Sequence, residues 1–473
     1  MKNYALALAL ALALALALAR TRTRVLMLLL VACTALCGCA TSGQASYESL
    51  RSEVDRTAFV TPRARADANR GLEGAFLERA VFVRAVLDRN PTVDAARSGW
   101  RGAVARIRQA GSLEDPMVDL GIAPLSVAAS GVPLGYSATI SQRLPWPGKL
   151  SLDTEMARAE AAAAKSDFES TRRELALTAA LLYDQYFASV RSLEINAHHV
   201  ALMRDMKSAA LAQFESGRAS AQDPLQAEAE LTHMEHDAVT LTADRDVTVA
   251  QMNELLHRDP DLPLPPPTKD LVVAANPDAA AGGRLGEEAA AKRPEIESAR
   301  LHARAEQARG ERAGRESYPD VVVSTSYNSM WSDPEHRWMV GLGFNLPLQR
   351  GRRAGSVEEA DAMRARYESE AARMTDKARA EVTVTLKRLD EAHHILRLFE
   401  ERLIPVARDQ IDAARAGFVT SRNDFVALIG AEKNLRGVEL AYQMARANVD
   451  RRHAELDRAL GRIPGLDGQE ARP

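Results

Sequence analysis

The sequence predicts a mainly α fold with a membrane β-barrel portion: two tandem helix–strand–strand–helix repeats, four strands per chain and very long coiled helices. Three observations carry that prediction. The chain is written twice at a nearly constant offset, each copy holds a pair of short alternating runs at the same place, and each then enters a stretch too long without Gly or Pro for a compact globule.

Five anchors recur in one order. Asn90-Pro91 returns as Arg293-Pro294, Asp115-Pro116-Met117-Val118 as Tyr318-Pro319-Asp320-Val321, and Leu144-Pro145 as Leu346-Pro347. Phe214 with Ala227-Glu228 returns as Phe418 with Ala431-Glu432, and Leu256-His257-Arg258 as Leu460-Gly461-Arg462. The offset stays between 202 and 204 positions, which chance does not produce.

Bulk composition agrees with extended helices. The 473 residues carry a net charge of −3 with 26% charged and only 5% aromatic residues. That balance offers no basic field, so no nucleic acid partner is expected.

At the amino end, residues 5–19 alternate Ala and Leu and carry no structural weight. Arg20 to Arg24 is basic and Val25–Leu36 apolar, which is the layout of an export signal, read here as residues 1–38. Leu36-Cys37-Gly38-Cys39 resembles a bacterial lipobox, in which Cys39 would be acylated; Leu30-Val31-Ala32-Cys33 is a second candidate. All three cysteines lie here, so the processed chain would form no disulfide. Residues 39–70 lack periodicity and read as a lipid-anchored tether.

The first repeat is placed at 71–258. It begins with a helix over about 72–110, followed by strands Met117–Ile122 and Tyr136–Leu144. Lys149 to Ser216 then contains neither Gly nor Pro; a helix of that span is roughly 100 Å long at about 1.5 Å per residue. Leu175, Ala179, Leu182, Tyr186 and Leu193 mark a heptad seam on it. The chain turns at Gly217–Pro224 and a helix returns to Arg258. Residues 259–291 are read as a linker, because Asp259–Lys269 is too Pro-rich for a helix or central strand.

The second repeat is placed at 292–463, with a tail at 464–473. Its helix covers 293–315 and its strands Asp320–Tyr327 and Arg337–Leu346, with Ser329–Glu335 as the hairpin loop. Val340, Leu342, Phe344 and Leu346 alternate with Met339, Gly341, Gly343 and Asn345. Trp146, Trp331 and Trp338 fall in or beside the strands, as an interfacial aromatic girdle would. Ser356–Ile404 is the second long helix, a kink is expected at Pro405, and after a turn at Ser421–Asp424 the last helix runs to Arg462.

After the signal no apolar run reaches the ~20 residues of a spanning helix, so any membrane crossing must use strands. Four strands cannot close a barrel, and open edges are not tolerated in lipid. Closure between subunits, as a trimer or a dimer, would give a tube.

The duplicated plan, the strand exit Gln142-Arg143-Leu144-Pro145-Trp146-Pro147-Gly148-Lys149-Leu150, and the tip from Phe214 through Leu225-Gln226-Ala227-Glu228 together resemble the TolC family of outer-membrane efflux proteins, over about residues 70–462. The resemblance implies a passive, homotrimeric conduit. It would sit lipid-anchored in the outer membrane with a large periplasmic helical portion, and act with a periplasmic adaptor (membrane fusion) protein and an inner-membrane RND-type pump. It implies no cofactor and no catalytic residue, and no enzyme motif is present. The Pro-Trp-Pro-Gly-Lys-Leu exit resembles the heavy-metal branch, the CusC- and CzcC-like exporters, more than the drug branch.

Drug-export members carry an acidic ring at the second tip; the matching positions here are Ala427 and Gly430, so that ring is absent. The entrance and adaptor-contact tip is instead assigned to Gly217, Asp223, Arg422 and Asp424, whose charges would act as a barrier to like-charged ions. Symmetry about the tips pairs His233 with Met206, His236 with Met203, and His393 with His453. Soft thioether and imidazole groups suit thiophilic metals, although packing and solvation explain such residues as well, and no resident metal site is assigned. A type I secretion duct and a periplasmic coiled-coil structural lipoprotein remain alternative readings.

Overall fold

The computed structural model describes residues 44–58, 72, 74–126, 133–269, 282–420 and 424–466; Cys33, Cys39 and Arg422 lie outside them. The elements are α1 Gln44–Ala58, α2 Arg79–Arg89, α3 Pro91–Ala110, β1 Met117–Ile122, β2 Tyr136–Leu144, α4 Lys149–Glu215, α5 Gln222–Leu255, α6 Gly282–Lys292, α7 Pro294–Arg315, β3 Val321–Asn328, β4 Trp338–Phe344, α8 Arg350–Leu398, α9 Ile404–Val419 and α10 Phe425–Ala459. The chain divides into two compact units, one centred on the strands (105–154 and 318–347, with residues up to 50) and one holding the remaining helices.

The strand unit is a single antiparallel sheet in the order β1-β2-β3-β4. Its register places Val118, Ile140, Thr325 and Val340 side by side, and Leu120, Ala138, Tyr327 and Trp338 in the next row of that face. Ile122, Tyr136, Val323, Leu342, Val321 and Phe344 share it, so this face is nearly all apolar. It is uncovered within the chain: Leu120 is 79% and Val340 74% exposed. The other face carries Asp119, Gly121, Ser137, Thr139, Ser141, Ser324, Ser326, Asn328, Gly341 and Gly343, together with Arg143 and the apolar Met117, Val322 and Met339. Gly121 and Gly341 each stand opposite a serine, and a Cβ there would lie 2.7 Å from Ser137 Oγ or 2.6 Å from Ser324 Oγ.

At one end of the apolar face Tyr136, Tyr327 and Trp338 pack at centroid distances of 5.7 and 5.2 Å. At the other end Trp146 stacks on Tyr318 at 5.2 Å. The strand exit flagged in the sequence is built there. The Asp320 carboxylate accepts from Lys149 Nζ at 2.7 Å, the Trp146 amide at 2.9 Å and Arg143 at 2.8 Å. Gly148 takes φ 91°, a left-handed turn that glycine adopts without a Cβ penalty, just before α4 begins.

The helical unit repeats its own grammar. Pro91 splits the helix expected over 72–110 into α2 and α3, and Pro294 separates α6 from α7 in the same way. The residues before them, Asn90 (ψ 125°) and Arg293 (ψ 123°), are extended, as a following proline requires. Helix α6 falls in the stretch expected to be linker, where Gly282, Gly283 and Gly286 argue against a helix; what holds it is the burial of Gly286, Ala289 and Ala290 against α8. Helix α1 likewise forms in the stretch expected to be a tether, with Val54 buried and Glu53 paired to Lys165. The Pro-rich segment after α5 is held by Asn253 Nδ2, which donates to Pro260 O and Leu262 O, and by the Tyr186 hydroxyl on Pro265 O.

Helix α4 spans 67 residues, about 100 Å at ~1.5 Å per residue. Its fully buried stripe is Ala176, Ala180, Tyr183 and Phe187, one position along from the expected seam; Ala179 and Tyr186 are buried with it, while Leu175, Leu182 and Leu193 are only half-buried. Small alanines at the contact let helices approach closely, so the wider leucines sit at its flanks. The break at Pro405 takes the form of a π turn, Phe399–Leu403, between α8 and α9. Proline cannot donate a backbone hydrogen bond, and the widened turn absorbs the missing one.

Candidate functional site

The first tip follows from how α4 ends. Arg218 N donates to Gln213 O at 2.9 Å and Gly217 N to Phe214 O at 2.9 Å, with Gly217 at φ 72°. This is a Schellman stop, and Gly217 is its left-handed residue. Asp223 lies in the first turn of α5, half-buried, its amide bonded to Ser220 O. At the second tip Asp424 is the N-cap of α10, its carboxylate accepting from Ala427 N at 3.0 Å. The charge predicted for the entrance therefore also stabilises a helix start. Ser220, its counterpart in the first repeat, accepts from the Gln222 amide, two residues on rather than three.

The two hairpins pack through Met203, Ala227, Leu231, Met234, Ile411 and Phe425, with the Phe418 and Phe425 rings 5.4 Å apart. Beyond that core Leu211, Phe214, Leu225, Val419 and Val426 stay exposed, Val419 by 76%. These exposed apolar side chains at the hairpin ends are a candidate interaction surface. Sequence reasoning misses it, because charge is what it seeks at the tips and not apolar exposure.

Of the symmetry pairs, only one is assembled. His393 and His453 meet with Nε2 atoms 3.2 Å apart. Met203 instead packs with Met234 in the core, and His233 and His236 lie on the exposed side of α5. Among the described residues no group of three or more His, Cys, Asp or Glu is placed to hold a metal ion.

Two buried charge clusters tie the helices together, neither foreseen from sequence. His199 of α4 is 1% exposed and lies between Glu432 (2.5 Å) and Glu439 (3.0 Å) of α10. Burial alone would lower its pKa, but the two carboxylates outweigh that and raise it to about 9. Arg436 extends the cluster to Asn196 and Asp237. Closer to α2, Asp184 is bound by Arg79 at 2.7 Å; burial, only partly offset by Arg79, pushes Asp184 up to about 7.

No described helix is long and apolar enough to cross a membrane. The strands combine one largely apolar face with aromatic residues at both ends. Residues 285–462, the second repeat, match the family model of outer membrane efflux proteins. Over that stretch the chain is similar to the outer membrane efflux proteins. Solved structures carry the likeness over the rest. CusC matches at 15% identity with a TM-score of 0.69, over 81% of this chain and 92% of that one. The outer membrane protein VceC of Vibrio cholerae matches at 17% identity and 0.67, over 80% and 95%. The CmeC outer membrane channel of Campylobacter jejuni matches at 13% identity and 0.67, over 82% and 86%. At these identities the structures establish the shared fold. Among curated proteins no sequence match is found.

Proposed function

We propose that this protein is an outer membrane efflux protein, the outer-membrane exit duct of a tripartite pump and a passive channel rather than an enzyme. The observation that carries the reading is the two-faced sheet. Its apolar face suits lipid, its opposite face, rich in serine and glycine, suits a water-filled lumen, and among the described residues its edge strands β1 and β4 have no further partner strand. Open edges in a bilayer require closure by other copies, and three copies supply a twelve-strand barrel, the size expected of a homotrimer.

In this reading the signal ends before Cys39, which carries the lipid. The repeats at 71–258 and 292–463 form the duct wall, and the hairpin tips with their exposed apolar side chains dock a periplasmic adaptor that links to an RND-type inner-membrane pump. The cargo is heavy-metal ions, a choice supported by the Pro-Trp-Pro-Gly-Lys exit and by similarity in fold to CusC. Susceptibility of a deletion strain complemented by the wild-type gene tests it. Selective sensitivity to copper, silver, zinc, cobalt or cadmium supports a metal cargo. Sensitivity to dyes, detergents and antibiotics with normal metal tolerance reassigns the duct to drug export.

Gly217, Asp223, Arg422 and Asp424 set the entrance in the same proposal. Because Asp424 caps α10, the substitution that isolates its charge is Asp424→Asn, which keeps a capping oxygen. Single-channel recordings of Asp424→Asn and Asp223→Asn should show altered ion selectivity; unchanged selectivity in both would remove these residues from the entrance.

A further inference from the structure

We propose that His393 of α8 and His453 of α10 form a two-imidazole site for a divalent transition-metal ion of the zinc type, bridging the two helices. The Nε2 atoms stand 3.2 Å apart and the ring planes cross at 85°. Two nitrogens about 2.0–2.1 Å from a tetrahedral ion lie roughly 3.3 Å from one another, so little movement is needed to admit one. A linear two-coordinate ion would need about 4 Å between the same atoms, which the pair does not offer.

The scaffold is rigid on both sides. Leu389, Ala392 and Leu396 on α8 and Val449 and Leu456 on α10 belong to one buried core cluster, and α8 packs directly on α10. Both imidazoles stand half-buried at the edge of that core, open enough for water to complete the coordination shell. Without an ion, the two rings share a single N–H···N bond. Imidazole pairs suit zinc, copper and nickel ions, and an ion binding only the folded state stabilises it by mass action. The site is independent of the cargo assignment, since a resident ion on this helix pair does not need to be transported.

The test uses the full-length protein purified in detergent and Zn2+ as the sole titrant. Calorimetry should find one Zn2+ per chain, absent in both His393→Gln and His453→Gln and retained in the double variant His233→Gln/His236→Gln. Zn2+ should raise the melting temperature of the wild type and leave both pair variants unmoved. Co2+ added to the wild type should give the visible absorption of a four-coordinate nitrogen–oxygen site, a readout that holds even where a variant folds poorly. No stoichiometric binding, six-coordinate Co2+, or binding that survives both pair variants overturns the proposal.

Discussion

Replacing His199 by Gln should erase a specific pH dependence of stability. The imidazole is raised from 6.5 to about 9 by Glu432 and Glu439. A difference of one pH unit between folded and unfolded pKa corresponds to about 1.4 kcal/mol, so the protonated ring contributes up to about 3 kcal/mol to the helical unit. Because the folded value is the higher one, that contribution is fully present below about pH 6.5 and is lost as pH rises through 9. Asp184 does not confound this window. Its folded value is also raised, to about 7, so the stability it loses with rising pH is gone near the start of the window. Denaturation followed by far-UV circular dichroism, at pH values spanning that window, should show the wild type losing stability steadily. His199→Gln should be weaker at neutral pH, where the buried Glu432 carboxylate has lost its charged partner, and nearly flat across the window. Parallel curves for the two proteins would refute the assignment of a charged His199.

Three further outcomes follow from the geometry. His257 holds φ 52° in the Schellman stop of α5, where the second repeat has Gly461 at φ 74°, so His257→Gly should raise stability by about 1 kcal/mol in thermal melts. Ile140 and Thr139 are neighbours on opposite faces of β2: Ile140→Arg should cost about 2–4 kcal/mol and abolish heat-resistant oligomers on gels, whereas Thr139→Arg should assemble and lower conductance. Asp424→Ala should cost about 1 kcal/mol through the lost cap, and Asp424→Asn close to nothing, in the same denaturation assay.

The fold is legible in the sequence wherever chemistry forces the backbone. Strands Met117–Ile122 and Tyr136–Leu144 match their expected bounds to the residue, because proline and glycine punctuation bounds clean alternation. The absence of Gly and Pro from Lys149 onward marks α4, which ends one residue before the expected Ser216. Helix α6 is hidden because glycines form helix only where close packing against α8 rewards them. The α4 seam is displaced because apolar volume alone ranks leucine over alanine, whereas Ala176 and Ala180 give the closer contact. At the site, the His393–His453 meeting is visible from symmetry about the turn, whereas His199 with Glu432 and Glu439 joins residues more than 230 positions apart, and no local pattern signals it.

The central claim is that four strands per chain become a closed membrane barrel only when copies combine. The most direct measurement is the mass of the folded complex extracted from outer membranes in mild detergent, by native mass spectrometry. A complex of three chains, dissociating only on heating, is the expected result. A single chain released from membranes by alkali, with no oligomer at any protein concentration, would contradict the account.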